Sequence, residues 1–233
     1  MVTIYICTFN EELLLPYTIA FYRKRFPACK IVIIDNFSTD ETVRIAKDNF
    51  CTVLYSFTNG KMRDEALRII KNTIWQMAGT PWVIVADTDM WLDIDDHKLK
   101  AEESKGITMI GMDWIEMVGP KVGLELPPYK GVRIRTNQIM CFKRDEILSM
   151  NFDYGAHECL PIGRIKFSDT LYPMYHNKWL SLEYVIDRHK KFRNRFTKRE
   201  KKMGLSVHYF FSRRKLTGIW NKLFKNSKPI LIN

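Results

Sequence analysis

Short apolar runs alternate with amphipathic stretches over the first ninety residues of the chain. The apolar runs predict buried strands at residues 2–7, 30–35, 51–57 and 82–86, and the stretches between them predict helices at residues 11–25, 38–49 and 63–77. Strand–helix alternation with short connections is typical of a parallel sheet covered by helices on both faces. We therefore expect an α/β fold of the doubly wound, nucleotide-binding kind.

The pattern changes after Asp89. A Gly- and Pro-rich loop is expected at residues 119–131, further strands at 137–142 and 165–175, a long polar helix at 180–202 and a short basic helix near residue 220. A domain boundary, where there is one, is expected near Trp179.

Charge is concentrated at one end of the sequence. The formal net charge is +11, yet residues 188–228 hold 15 Lys or Arg and a single acid, Glu200. Such a block suits nucleic acid, an anionic membrane, a phosphorylated ligand or a solvated helix surface. No recognised nucleic-acid motif accompanies it, so nucleic acid is the least favoured partner.

Composition restricts the protein's class. With 46% hydrophobic and 13% aromatic residues the chain is globular, and its aliphatic runs are too short to span a membrane. The five cysteines form no C-x-x-C pair, and the first residues lack a basic leader with a cleavage site. We therefore expect free thiols and a cytoplasmic protein, with peripheral contact to the membrane as an option.

Two carboxylates follow the fourth predicted strand directly, in Asp87-Thr88-Asp89. Ligands of open α/β sheets bind beyond the carboxyl ends of the strands. Paired aspartates there can hold a hard divalent cation, Mn²⁺ or Mg²⁺, and reach a ribose or phosphate. A turn or helix cap is the alternative role.

Three segments in order resemble nucleotide-sugar-dependent glycosyltransferases of the GT-A fold, family 2. Residues 7–12 (Cys-Thr-Phe-Asn-Glu-Glu) resemble the loop after the family's first strand. Residues 33–42 resemble its second-strand motif. Lys71-Asn72 and the following Asp87-Thr88-Asp89 resemble the family segment that ends in Asp-x-Asp. The resemblance covers residues 2–93. It implies a GT-A, Rossmann-like, mostly parallel sheet flanked by helices, with a basic helical C-terminal extension.

The resemblance implies a role for each matched residue. The donor, a UDP- or GDP-sugar, would lie against Cys7, Thr8, Phe9, Asp35, Arg63, Lys71 and Asp87. A metal ion would be held by Asp87, Asp89 and His176, and it would neutralise the diphosphate leaving group. Residues 1–178 would form the catalytic domain, with a donor half at 1–93 and an acceptor half at 94–178. Residues 179–233 would form the basic helical extension.

The second half would supply the acceptor site and, in an inverting enzyme, a general base. Residues 142–158 loosely resemble the family's later segment, which ends in an acidic pair and here ends in His157-Glu158. Glu158 is the first candidate for the base, and Asp113, after the apolar run 107–112, is the second. His157 is an alternative to His176 as metal ligand.

The basic helix near residue 220 has apolar residues on one face, including Leu216, Trp220 and Phe224. Such a helix binds the surface of an anionic membrane, which suits a lipid-linked acceptor, or packs on the catalytic core. Glycan and protein acceptors remain equally open.

Two other functions are compatible with the sequence. A non-catalytic GT-A-like protein could use its basic tail on membrane or nucleic acid, although it would have no need of Asp87-Thr88-Asp89. A sugar nucleotidyltransferase would carry a Gly-rich phosphate loop after its first strand, and Thr8-Phe9-Asn10-Glu11 is not one.

Overall fold

Strands and helices alternate in the first half of the chain, as the hydrophobic pattern predicts. The computed structural model describes residues 1–136, 138–154, 158–204 and 206–232. In chain order the first elements are β1 (Val2–Thr8), α1 (Leu15–Arg25), β2 (Lys30–Asp35), α2 (Thr42–Asp48), β3 (Thr52–Tyr55), α3 (Asp64–Thr73) and β4 (Trp82–Asp87).

These four strands form the parallel part of the sheet. β1 lies between β2 and β4, β3 pairs with the outer side of β2, and every one of these pairings is parallel. Cys7 stands opposite Asp87, and Thr8 stands opposite Asp35. The carboxyl ends of β1, β2 and β4 therefore meet at one edge, where such sheets bind ligands.

The second half extends this sheet. Its elements are β5 (Met90–Leu92), α4 (Asp96–Ser104), β6 (Met109–Val118), β7 (Lys130–Ile134), β8 (Cys141–Lys143), β9 (Ile147–Ser149), β10 (Ile162–Gly163), β11 (Phe167–Trp179), α5 (Leu182–Arg193), α6 (Lys198–Met203), α7 (Arg213–Asn226) and β12 (Lys228–Pro229).

The complete sheet is mixed. Its strand order is β12-β7-β6-β8-β4-β1-β2-β3, and β11 pairs with β6 in parallel and with the short β5 in the antiparallel sense. β8 joins β4 antiparallel and connects the two halves. The predicted α/β architecture, a largely parallel sheet with flanking helices, is confirmed.

The basic C-terminal helix packs on the protein core. Leu216 and Trp220 of α7 are buried together with apolar residues of β6, β11 and α5, in one cluster: Val118, Trp179, Leu182, Val185, Leu216 and Trp220. Of the two predicted positions for this helix, the structure has the docked one. The remaining surface of α7 carries exposed Arg213, Arg214 and Lys215.

A close backbone contact positions the start of α5. A Cβ atom on Gly119 would lie 1.6 Å from the carbonyl oxygen of Leu180, so only glycine allows this approach. The Gly119 N–H donates to the carbonyl of Trp179 at 2.8 Å. β6 and the β11–α5 connection are therefore held tightly together.

The prediction of one helix over residues 180–202 is wrong. α5 ends at Arg193, and a new helix, α6, begins after the Thr197 cap. Between them the carbonyl of Arg195 accepts a hydrogen bond from Met62 N–H at 3.1 Å, and Phe196 forms a bridge with Met62. The chain leaves its helical path to make these long-range contacts, which local periodicity does not report.

All five cysteines are free thiols, as expected. Within the described ranges, no helix combines the length and the apolar character that a bilayer crossing requires.

Candidate functional site: a cationic cleft at the carboxyl edge of the sheet

An open cleft with a cavity volume of about 160 Å³ lies where β1 and β4 end. Cys7, Thr8 and Phe9 line it on one side, and Asp87 and Asp89 line its floor. The hydroxyls of Thr8 and Thr88 share a hydrogen bond of 2.5 Å, which ties the two strand ends together. The parallel register thus brings residues about 80 positions apart into one site.

Asp89 begins a chain of buried polar groups. The Nε2 atom of His176 lies 3.5 Å from Asp89 Oδ2, and its Nδ1 lies 2.7 Å from Glu116 Oε1. Trp114 Nε1 donates to the same Glu116 oxygen at 2.9 Å. The sheet register explains the arrangement, because His176 pairs with Met90 on one side and with Glu116 on the other.

Arg188 of α5 reaches the same aspartate from the opposite direction. Its Nη1 lies 2.5 Å from Asp89 Oδ2, and its Nη2 lies 3.0 Å from Glu11 Oε1. Tyr184, one turn earlier on α5, donates its hydroxyl to Glu11 Oε2 at 3.3 Å. Helix α5 is therefore attached to the floor of the cleft through one bridging guanidinium.

These contacts shift the protonation equilibria of the cluster. Burial raises the pKa of Asp89, but Arg188 and His176 outweigh it and hold that pKa well below its usual value. Burial lowers the pKa of His176, whereas Glu116 and Asp89 together raise it to about 9. Burial raises the pKa of Glu11 to about 7 in spite of Arg188. At neutral pH His176 is thus an imidazolium between two carboxylates.

Asp87 has its own cation. Lys71 Nζ lies 2.9 Å from each carboxylate oxygen of Asp87, and the lysine is only 2% exposed. Burial lowers the pKa of Lys71, but the neighbouring Asp87 has the opposite effect, and the net result is a pKa above the usual value for lysine. Burial raises the pKa of the neighbouring Cys7 thiol to about 12, which leaves it neutral. Asp87 itself stays partly open to the cleft.

Aromatic rings and an arginine form the outer wall. The guanidinium of Arg195 lies 3.5 Å from the centroid of the Phe9 ring, and its Nε donates to the Gly60 carbonyl at 2.9 Å. Phe192 stacks on Tyr209 at 4.7 Å and meets Phe9 edge to face at 6.5 Å. The wall combines flat apolar faces with positive charge, a surface suited to a base and an anionic group.

The first hundred residues have a recognisable family pattern. Residues 3–100 match the family model "Glycosyl transferase family 2". The match covers less than half of the chain, and it includes the four parallel strands and both aspartates of Asp87-Thr88-Asp89. A comparison with curated proteins finds no significant match to the whole sequence.

Solved structures similar to this chain have the GT-A fold. The mannosyltransferase PcManGT from Pyrobaculum calidifontis, solved with GDP-Man and Mn²⁺, has 15% identity and a TM-score of 0.50 over 82% of this chain and 61% of its own. TarS from S. aureus has 12% identity and a TM-score of 0.47 over 97% of this chain. The chain spans only 43% of the length of that TarS structure.

The cleft contains most of the predicted donor and metal residues of the domain. Cys7, Thr8, Phe9, Arg63, Asp87, Asp89 and His176 all line it. Lys71 does not line the cleft, and its ammonium group forms an ion pair with Asp87. Their roles toward a donor stay predictions.

Asp35 also lies off the lining of the cleft. It is fully buried, and its two oxygens accept hydrogen bonds from the N–H of Ser38 at 2.9 Å and from the Ser38 hydroxyl at 2.5 Å. The neighbours of Asp35, Ile34 and Asn36, do line the cleft. In this arrangement Asp35 shapes the loop beside the donor site.

Neither candidate base lines the cleft. Glu158 is exposed beside the bridge between Phe152 and Cys159, and its neighbour His157 lies outside the described residues. Asp113 is bound by Arg133, whose Nε donates to it at 2.6 Å. The base assignment therefore stays a prediction for both carboxylates.

The expected divalent cation can be tested against these contacts. Asp89 Oδ2 is bound by Arg188, both nitrogens of His176 face carboxylates, and both oxygens of Asp87 contact Lys71. Across the described ranges, no group of three His, Cys, Asp or Glu side chains could hold a metal ion. In this arrangement the predicted ligands are paired with protein cations and do not form a metal site, and a divalent cation at Asp89 would have to compete with Arg188.

The sequence did not predict several of the residues that line the cleft. Glu11 lies within the quoted loop motif, but nothing local shows that it binds Arg188. Lys178, Arg188 and Arg195 follow the last matched segment by more than eighty positions, where the sequence shows only a basic stretch. The excess of Lys and Arg after residue 188 is the one signal that could have indicated them.

Proposed function

We propose that this protein transfers a sugar from a nucleotide-sugar donor, a UDP- or GDP-sugar, to an acceptor. The observation that carries the proposal is the cleft itself, in which the strand ends of a family 2 domain face a wall of cations and aromatic rings. PcManGT, which has a similar fold, was solved with GDP-Man.

The charge of the cleft suits a nucleoside diphosphate. Lys178 and Arg195 line it, and neither has a carboxylate within ion-pair distance among the described residues. Burial lowers the pKa of both side chains, and that of Arg195 falls to about 10, which leaves its guanidinium cationic at neutral pH. Preorganised cations in a partly dry cleft stabilise the charge that develops on a departing diphosphate. Arg195 covers one face of the Phe9 ring, and Phe9 lines the cleft, where the rest of its ring can contact the base.

A thermal-shift screen with UDP-, GDP-, CMP- and dTDP-sugars tests donor binding. A donor at about 100 times its Kd adds about 2.7 kcal/mol of stability, which raises the Tm of a protein of this size by about 5–11 °C. Phe9→Ala is expected to reduce the shift. Its matched control is Phe50→Ala, because Phe50 is 91% exposed and does not line the cleft.

Turnover separates an enzyme from a binding protein. Release of nucleoside diphosphate from the bound donor, with water or an added glycan as acceptor, is the expected result. Binding without any release would favour the non-catalytic alternative, and release of pyrophosphate from a nucleoside triphosphate and a sugar phosphate would favour a nucleotidyltransferase. No shift with any nucleotide sugar would contradict the proposal.

The divalent cation is a separate part of the proposal. Its support is the Asp87-Thr88-Asp89 pattern and the Mn²⁺ in the PcManGT structure. Its obstacle is the guanidinium already bound to Asp89. Donor binding by the cationic wall does not depend on the outcome.

The proposal leaves the acceptor open between a glycan, a lipid-linked molecule and a protein. The structure restricts only how the protein could reach a lipid-linked acceptor at a membrane. Since Leu216 and Trp220 are buried in the core, α7 cannot insert these side chains into a membrane while it stays docked. A peripheral contact would rest on its exposed cations, such as Arg213, Arg214 and Lys222. Such binding to anionic vesicles would weaken as salt shortens the Debye length.

A further inference from the structure

Each carboxylate of Asp87-Thr88-Asp89 is neutralised by a buried cation of the chain itself. Lys71 contacts both oxygens of Asp87, and Arg188 contacts Asp89. The exposed fractions of the two basic side chains are 2% and 13%. A metal site needs carboxylates with an uncompensated negative charge, and here each carboxylate already has a basic side chain as its counter-ion.

Arg188 is held on both sides. Glu11 binds its second nitrogen at 3.0 Å, and Tyr184 from the same helix binds Glu11 in turn. Removing the guanidinium would leave Glu11 buried without a counter-ion and Asp89 with only the His176 imidazolium, and unpaired buried charges are costly. The arginine is thus a fixed part of the cleft floor.

The same arginine retains capacity for a ligand. Its Nε is buried and has no hydrogen-bond partner among the described residues, although the side chain lines the cleft. A guanidinium is planar, always charged, and matches phosphate oxygens with paired N–H groups. Lys178 and Arg195 add positive charge nearby. The cleft therefore carries the charge that a diphosphate needs.

We propose that Arg188, assisted by Lys71, takes the place of a divalent cation at Asp87-Thr88-Asp89, so that the donor's diphosphate binds without metal. The inference rests on the proposed function, because it names the group that receives the donor. Lys71 neutralises Asp87, which would otherwise repel the diphosphate. Arg188 neutralises Asp89, and its guanidinium, which lines the cleft, supplies positive charge and further N–H donors to the ligand.

Isothermal titration with UDP-glucose and with GDP-mannose, in EDTA and in Mn²⁺, tests this. The parent protein is expected to bind one of them with Kd values that agree within about threefold between the two conditions, a difference of about 0.7 kcal/mol. Arg188→Gln is expected to bind at least about tenfold more weakly in EDTA, the loss that follows from one charged hydrogen bond. Mn²⁺ should restore part of that binding, because Asp89 is then free to hold the ion.

Lys190→Gln is the matched control, since it removes one positive charge from an exposed position of the same helix. It should bind like the parent in both conditions. Circular dichroism checks that each variant folds. Where Arg188→Gln does not fold, Arg188→Lys, which keeps the charge and loses the planar fork, should bind without metal but more weakly than the parent.

The outcomes separate this inference from the proposed function. Binding by the parent in Mn²⁺ and none in EDTA would overturn the inference and leave the donor assignment standing. Unchanged binding of Arg188→Gln in EDTA would remove Arg188 from the role. Absence of binding to every nucleotide sugar in both conditions would overturn the function itself. The parental comparison needs no variant and is decisive alone.

Discussion

Trp220→Ala tests whether α7 is part of the folded core. The indole is 3% exposed and packs in the cluster with Leu216, Trp179 and Val185, and Phe224 stacks on its outer face at 4.7 Å. Truncation to alanine removes the largest side chain that α7 buries. We therefore expect a clear loss of stability.

The size of the loss follows from two opposing contributions. Replacing a buried Trp by Ala costs about 3–5 kcal/mol in lost burial and cavity formation. The Nε1 atom of Trp220 is buried without a hydrogen-bond partner among the described residues, so the parent carries a desolvation penalty of about 1–3 kcal/mol that the variant loses. The midpoints of these two ranges give an expected net loss of about 2 kcal/mol. Trp220→Phe keeps most of the ring and loses the N–H, so it should lie within about 1 kcal/mol of the parent.

Urea denaturation measures both variants, and the slope of the transition checks that the folded and unfolded states are comparable. In a thermal scan the alanine variant should melt about 4–8 °C below the parent. Leu231→Ala is the control, because Leu231 is 85% exposed. A Trp220→Ala variant as stable as this control would show that α7 is not docked, and the membrane-inserted position of the helix would again be open.

Three further variants test individual assignments. Asp35→Ala should raise the donor KM, because the loop beside Asn36 loses two hydrogen bonds to a buried carboxylate. These two bonds together are worth about 2 kcal/mol. An unchanged donor KM would show that Asp35 does not support donor binding. Glu158→Gln should keep donor binding and lower transfer about 10²- to 10⁴-fold, the usual range for a lost general base, whereas parental rates would move the assignment to Asp113. Gly119→Ala should weaken the attachment of α5, so both the stability of the protein and its affinity for the donor should fall. Normal donor binding at reduced stability would show that donor binding does not depend on this attachment.

The first half of the fold is predictable because each element there has a strong local signature. β1, β2 and β4 are continuous apolar runs of strand length, and they are buried almost throughout. Once their parallel order is accepted, the position of Asp87 and Asp89 at the ligand-binding edge follows from topology alone. The same reasoning predicts that Thr8 and Phe9 face them.

The partners of these residues could not be predicted, because they depend on tertiary register. Glu116 meets His176 only because β6 and β11 pair in that particular alignment across 60 positions. Arg188 meets Asp89 across 99 positions through the packing of a helix that reads, locally, as a polar surface helix. Hydrophobic periodicity identifies which face of an element is buried, but it carries no information about which buried charge will find which partner.

The predicted boundary near residue 178 remains a prediction, but it does not separate the site from the extension. Three contacts join the residues before this boundary to those after it. They are Gly119 with Leu180 at the base of the cleft, Asp89 with Arg188 at its floor, and Gly60 with Arg195 at its wall. The basic stretch therefore consists of two groups of charges. Arg188 and Arg195 complete the cleft, whereas exposed lysines and arginines of α6 and α7 face solvent. A net charge counted over the sequence merges these groups, and only the first can act on a diphosphate, because burial strengthens a charge interaction that solvent would otherwise screen.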